Sequence, residues 1–481
     1  MSTFSGLSTA LSSLIAQRQA LEVAGQNIAN ANTIGYTRQR ASISSLPAAN
    51  VSSMFSTNNG PGQGTHVTGI DRLGDLFIDA RVRSETAGSA YLAARATSYS
   101  TLELGVGEPS KTGLSTQLSN LWAAFHDVAN TPNKDSARAV LLETAHAVVD
   151  RVATLYSSAD TQWTQARTTT AALVDQVNTT ASNVADLNTR ILSITNTGSS
   201  ANELMDQRDQ LVSQLSGLVG ATSRVTDNGT VDVMVAGNAL VSGAATKQLA
   251  LAGPTVFSGA TGAAGKSVRV EWASRPGVPV GLDGGRVAGL LSVLAPPSAG
   301  TGGLLAEAAA AYDAFATHLA TSVNALHVGA TTIGTATVPG VTGSPFFAID
   351  ATKPASLGLS VAITDPAQVA AADASKGALD GSIADQIARL GTLVGGPDAT
   401  WSSVVVQLGV RTASATSRSS VAEASRATAA AQQLSQMSVS TDEETTNMLA
   451  YQRGYEASAR VMTAIDAMLD TLINRTGMVG R

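Results

Sequence analysis

The chain has 481 residues, and Lys+Arg 30 against Asp+Glu 36 leaves a formal net charge of −6, which gives nucleic acid nothing to bind. Hydrophobic residues make up 44% but aromatics only 4% and charged residues 14%, so buried contacts come from many small side chains, as suits long, thin helix packing. With no cysteine, disulfides, thiolate nucleophiles and Cys-bearing zinc or iron–sulfur sites are excluded.

At about 100–200 residues per domain the length predicts several domains. From Phe4 to Ile28 the apolar residues Leu7, Leu11, Leu14, Leu21 and Ile28 recur at sums of three and four, the spacing of an amphipathic helix. Arg18 and Gly25 interrupt this stripe, so the helix is not expected to be stable alone. Arg18 is also the first basic residue and follows the apolar positions, the reverse of a secretory leader, so no cleaved export signal is expected. Asn30, Asn32 and Gly35 supply the helix stop, tolerating turn conformations, and Tyr36 can pack back on the helix. These residues are expected to form a hinge.

Residues 84–104, 114–130 and 134–219 read as helices rich in Ala, Thr and Gln, with a break around Thr197–Ser200. Their apolar faces are weak, which predicts a bundle. Between 221 and 283 the pattern changes to period two: Asp227-Asn228-Gly229 signals a hairpin turn, and Val231, Val233, Val235 and then Val268, Val270, Trp272 alternate. Helix returns over 285–328, residues 329–375 read as irregular or short strands around Phe346-Phe347, and helix resumes from about Ala378 with a break at Gly395–Pro397. Finally Met448, Tyr451, Tyr455, Ser458, Met462, Ile465, Leu469 and Leu472 step by alternating three and four, behind Thr441, Asp442, Glu443 and Glu444, which read as a capping box with carboxylates at the positive end of the helix dipole.

The predicted fold is mainly α with an inserted small β domain. Residues 1–35 and 441–481 form an inner coiled-coil domain from both termini, residues 36–220 and 284–440 a central helical bundle, and residues 221–283 one outer β domain. Helices at both extreme termini favour an assembly interface over an ordinary core. No apolar run reaches the roughly 18 residues of a membrane span, so no membrane insertion is expected.

No catalytic, cofactor or metal site is expected. Gly105 to Thr112 misses the phosphate-loop pattern because Ser110 precedes Lys111, and before Gly265-Lys266-Ser267 the required first glycine is displaced to Gly259. His66, His126, His146, His318 and His327 lack metal-type spacing. Asp442, Glu443 and Glu444 point in different directions on a helix, so capping explains them better than acid–base chemistry.

The segment from Asn27 to Tyr36, Asn-Ile-Ala-Asn-Ala-Asn-Thr-Ile-Gly-Tyr, resembles the signature of the flagellar rod, hook and hook-associated axial proteins. Its continuation Thr37-Arg38-Gln39 is similar to the hook-associated protein 1 (FlgK) branch, as are Asp206 to Val212, Phe346 to Ile349, and the run from Val439 to Leu472 with Tyr451-Gln452-Arg453. These segments span nearly the whole chain in family order. The resemblance implies a non-enzymatic structural subunit of the hook–filament junction, exported through the flagellar type III apparatus to the cell exterior. It implies as partners copies of itself in a ring around a channel, the hook protein, the next hook-associated junction protein, and a FlgN-like export chaperone at the C-terminal helix. Because each terminal stripe lacks a partner until assembly, both ends are expected to order on incorporation. Only one β insertion is evident, so a second outer domain of longer relatives is expected to be absent. The competing readings are a hook or distal-rod subunit, against which Thr37-Arg38-Gln39 and Asp206–Val212 argue, and a secreted enzyme or adhesin carried on flagellar-type ends.

Overall fold

A computed structural model of the chain describes residues 3–47, 62–262, 264–298, 300–333, 340–377 and 379–475. Ala378, where helix was expected to resume, and the last residues of the chain, 476–481, lie outside them.

Helix α1 (Thr3–Ala29) leads into a hairpin of β1 (Gln39–Leu46) and β2 (Gly64–Arg72), antiparallel and packed on α1. Period-two reading missed this hairpin because neither strand alternates apolar and polar residues cleanly. Next come α2 (Leu76–Val106), α3 (Leu114–Asn130), α4 (Asp135–Thr195) and α5 (Asn202–Val219). Asp75 caps α2 by accepting from Phe77 N–H at 2.8 Å, and Gly107 ends it in the left-handed conformation at φ 60°. Helix α4 has 61 residues, roughly 90 Å at about 1.5 Å per residue. Its buried residues, Leu141, Ala145, Val148, Val152, Leu155, Ala159 and Trp163 among them, keep the three-and-four spacing that turns one face inward over most of its length. The break at Thr197–Ser200 falls between α4 and α5.

The inserted β region makes two small antiparallel sheets. One has the order β3 (Thr222–Val225), β4 (Val231–Val235), β5 (Asn238–Ser242), β6 (Ala245–Thr246); the other β7 (Leu249–Ala252), β8 (Arg269–Trp272), β9 (Arg275–Pro279). The Asp227-Asn228-Gly229 turn joins β3 to β4 with Gly229 at φ 81°. Both sheets are anchored to α4 by buried or half-buried amides. Asn188 donates to Val231 O and Gly243 O at 2.9 Å, and Asn178 exchanges two hydrogen bonds with Leu249. Val231, Val233, Val270 and Trp272 therefore join the same continuous core as α4.

Helices α6 (Gly285–Leu294) and α7 (Leu304–His327) return to the bundle, followed by two short ladders, Thr331–Thr332 with Ala370–Ala372 and Phe347–Ile349 with Leu359–Val361. The short α8 (Ala355–Gly358) and α9 (Ser382–Ala388) precede α10 (Pro397–Met437), which runs back along α2. The pairing is antiparallel, since Ser89 meets Glu423 and Asp79 meets Gln433. Last comes α11 (Thr441–Asp470), whose final turn, Thr471–Arg475, widens to a π-helix.

The main core is aromatic where it is widest: Phe125, Phe346, Phe347, Tyr312, Phe315 and Trp401 are all buried and in ring contact in two groups. Buried His327 closes it, with Nδ1–H donating to Ser344 O at 2.6 Å and Nε2 accepting from Ala370 N–H at 2.9 Å. Burial holds its pKa below the ordinary histidine value.

Candidate assembly site

The two terminal helices pack against each other as an antiparallel pair. Gly6 faces Ile465, Ser13 Oγ lies 2.9 Å from Ser458 Oγ, Gln17 faces Gly454, Ala20 clusters with Tyr451, and Asn27 reaches Glu444. Gly6, Ser13, Ala20 and Asn27 are spaced by heptads, and so are their opposites Ile465, Ser458, Tyr451 and Glu444. A side chain at Gly454 would put its Cβ 2.9 Å from Gln17, so glycine there allows the close approach. On α1 the buried residues are Ala10, Ala16, Ala20, Val23, Ala24 and Asn27.

On α1 the seam is thus made of small side chains, set against Ile465, Ser458 and Tyr451 of α11, and the leucine stripe of α1 flanks it. Leu7, Leu14, Leu21 and Ile28 are half-buried one position round the helix, and Leu11 is 48% exposed. Across from them Met448, Tyr451, Met462, Ile465 and Leu469 are half-buried, while Tyr455 is 37% and Leu472 59% exposed. Phe4, Ile15, Leu449, Val461 and Met468 also stay exposed. The pair folded within one chain therefore keeps apolar surface on both helices. Each buried CH₂-sized group contributes only about 0.8 kcal/mol. Ordering one residue's backbone costs about 1–2 kcal/mol. An alanine-lined seam leaves such a pair marginal on its own.

At the inner end of the pair the Asn-rich segment joins it to the bundle. Asn27, 1% exposed, spends both ends of its amide: Nδ2 donates to Gln39 O (2.8 Å) and Glu444 Oε2 (3.0 Å), and Oδ1 accepts from Tyr36 Oη–H (2.9 Å) and Gln39 N–H (3.0 Å). Asn30 Nδ2 donates to Gln26 O and its Oδ1 accepts from Thr33, holding the frayed end of α1. Asn32 is exposed. Gly35 sits at φ 82° with Gln210 Nε2 3.2 Å from where a Cβ would stand. The Tyr36 hydroxyl is pushed up to about 12, by burial first and then by the carboxylates of Glu203, Asp206 and Glu444.

The residues that complete this joint had other readings or none in the sequence. Ser440, not Thr441, is the N-cap of α11, accepting from Glu443 N–H at 3.4 Å. Glu443 and Glu444 do more than face the helix dipole, since Arg38 binds Glu443 at 2.9 Å and Glu444 at 2.7 Å, with the Glu444 side chain only 4% exposed. Thr37 N–H donates to Asp206 at 3.1 Å, and Arg72 bridges Asp206 at 2.8 Å and Asp209 at 2.7 Å. Burial raises the pKa of Asp206 against the pull of Arg72 and the Thr37 N–H. Asn202 adds bonds to Gln39 Oε1 and Ile70 O. Thus residues 27–39, the start of α5 and the start of α11, separated by hundreds of residues, close into one polar knot. The signal available beforehand was that these were the segments carrying the family resemblance. Their mutual contact was not visible.

Among the described residues no group of three or more His, Asp or Glu is placed to hold a metal ion, and no helix is long and apolar enough to cross a membrane. What the geometry offers is adhesive: paired terminal helices with apolar flanks, locked to a long bundle. This is the arrangement of a structural subunit that carries exposed apolar surface on its terminal helices. Residues 99–347 match the family described as the flagellar hook-associated protein FlgK helical domain, residues 7–37 the flagella basal body rod protein family, and residues 430–475 the flagellar basal body rod FlgEFG protein C-terminal family. The chain belongs to the flagellar hook-associated protein FlgK family. It is 28% identical to flagellar hook-associated protein 1 of Bacillus subtilis over the full length of both. It is 32% identical to the Escherichia coli protein of the same name over 51% of this chain and 44% of that one. The fold resembles that of the flagellar hook junction protein FlgK from Burkholderia pseudomallei, with a TM-score of 0.58 at 17% identity, covering 75% of this chain and all of that one. The protein is a structural component of the bacterial flagellum.

Proposed function

We propose that the protein forms the junction between hook and filament, as a ring of copies whose α1–α11 pairs line a central channel. The observation that carries this is the exposed apolar flank left on both terminal helices after they have paired, from Phe4 and Leu11 on α1 to Tyr455, Met468 and Leu472 at the other end. Neighbouring copies bury it. Leu7, Leu11, Leu14, Leu21 and Ile28, with Met448, Tyr451, Tyr455, Met462, Ile465, Leu469 and Leu472, supply the contacts, and both helices gain order on incorporation. Residues 27, 30, 32, 35 and 36 set the angle between this inner unit and the bundle. The hook protein lies on one side of the ring and the next hook-associated junction protein on the other. Before assembly the chain passes through the flagellar type III apparatus to the cell exterior without a cleaved signal, with α11 covered by a FlgN-like chaperone.

Deletion of the gene, followed by electron microscopy and an assay for filament protein in the medium, tests the reading. Hooks without filaments, with filament protein lost to the medium, are expected. Missing hooks would move the protein to the hook or rod, and normal filaments would overturn the assignment.

A further inference from the structure

Outside the terminal helices, the bundle carries charge of opposite sign on different helices, arginines on α2 and α10 and carboxylates on α4. Arg95 of α2 and Arg411 and Arg418 of α10 line a groove of about 330 Å³, bordered by Tyr99 and Gly300. Arg95 lies over the Tyr91 ring, 5.6 Å from its centroid, and among the described residues none of the three has a carboxylate within ion-pair distance. Arg38, Arg72, Arg269, Arg389 and Arg426 each hold a carboxylate, and Arg81, Arg151 and Arg167 bond to neutral oxygens; what sets these three apart is that they line one groove.

The complement lies on α4. Glu143, Asp150, Asp175 and Asp186 are exposed and fall within about 40° of one another round the helix at 100° per residue, with exposed Asp160 to one side. Among the described residues none of them forms an ion pair. Between Glu143 and Asp186 the two arginines face away from it, because Arg151 donates to Val106 O and Arg167 to Pro254 O, each at 2.6 Å, while exposed Arg190 stands one turn beyond Asp186 at the far end of the face. Helices α4 and α10 both pack on α7 without packing extensively on each other, so within one subunit the two sets of charge stay apart.

Direction matches as well. Helix α2 runs antiparallel to α10, through Ser89–Glu423 and Asp79–Gln433, and antiparallel to α4, through Arg151–Val106 and Gln162–Ser98. The outer helices α4 and α10 are therefore parallel. Glu143 and Asp150 have the same two-turn spacing as Arg411 and Arg418 but lie roughly 25 Å away along the bundle axis, about 17 residues at about 1.5 Å each, so the two meet only between copies related by a rotation with an axial step of that size, as in a helical array. We infer that the acidic face of α4 in one copy docks on the arginine groove of α10 in the next, a head-to-tail contact between copies of this chain. The contact gives the ring lateral specificity beyond the apolar contacts of the terminal helices, and it rests on the junction reading above.

The test uses the full chain in a strain lacking the gene. Arg411→Glu with Arg418→Glu is expected to lower the fraction of hooks bearing filaments several-fold, Glu143→Lys with Asp150→Lys to do the same, and the four changes together to recover much of the loss. Full complementation by either charge-reversed pair, in a strain where deletion removes filaments and the unaltered chain restores them, would overturn the docking inference while leaving the junction reading intact. Because the chain has no cysteine, Asp150→Cys with Arg418→Cys provides a second readout that does not depend on charge reversal being tolerated. A thiol cross-linker applied to sheared flagella should give a ladder of multimers from the double variant and none beyond dimers from either single one. Monomer alone from the double variant would overturn the contact.

Discussion

Asn27 uses every polar position of its amide while buried, and what it holds is costly to leave unpaired: the Glu444 carboxylate, the Gln39 N–H and the Tyr36 hydroxyl. Asn27→Ala is expected to weaken the α1–α11 pair by about 3 kcal/mol, seen as faster amide exchange over both helices with the bundle unchanged. Asn27→Asp should do worse, since a second carboxylate would face Glu444 within hydrogen-bond reach. Gly35→Val meets both a φ of 82° and Gln210, so about 1–2 kcal/mol of backbone strain falls on the joint. Incorporation into flagella should fall while the isolated bundle keeps its melting temperature; normal filament growth in this variant would refute a role for the joint. The buried His327 gives a pH test. Its pKa is held below the free value near 6.5, so its stabilisation is complete above about pH 6.5 and declines as pH falls through the lowered value. Thermal melts from about pH 7 to 5 should show a decline that His327→Gln flattens.

At the scale of elements, α1 is built on two stripes, whereas the seam positions of α11 belong to its one stripe. The α1 side of the seam is small, with Gly6, Ser13 and Ala20 against Ile465, Ser458 and Tyr451, and the bulkier leucines of α1 stand beside it. The stripes separate under mutation. Leu11→Ser is expected to leave the circular dichroism of the free subunit unchanged, because the side chain is 48% exposed, and yet to reduce incorporation. Gly454→Leu is expected to act the other way, forcing the helices apart at Gln17 and lowering helicity before any assembly. If helicity of the wild-type chain did not rise on assembly, ordering by neighbouring copies would be refuted. The β sheets show a related division: hairpin signals marked the strands, while Asn178 and Asn188 of α4 decide that the sheets lie along that helix.

For the whole molecule, the long helices α2, α4 and α10 run parallel or antiparallel to one another with unlike charge on different faces, and the end of α1 meets the start of α11 at one polar knot. Docking of α4 on α10 of the next copy would allow one orientation only, since turning a copy over would set arginines against arginines. Salt should accordingly weaken lateral association more than it weakens the fold. Raising ionic strength is expected to shorten cross-linked ladders of the Asp150→Cys/Arg418→Cys chain while its melting temperature changes little.

Local patterns in the sequence determined the helices, the break at Thr197–Ser200, the onset of the last helix near residue 441 and the strand-rich insert, because period and turn chemistry act over a few residues. The stripes Leu7–Ile28 and Met448–Leu472 marked the terminal helices as partners for the same reason. Only the tertiary structure decided which face of α1 turns toward α11, because alanine and glycine have no hydrophobic signal strong enough to outrank leucine, yet they alone permit the close approach. It also decided the joining of Asn27, Arg38, Asp206 and Glu444: polar side chains carry no period, and their partners lie hundreds of residues away, brought together only when the chain has folded.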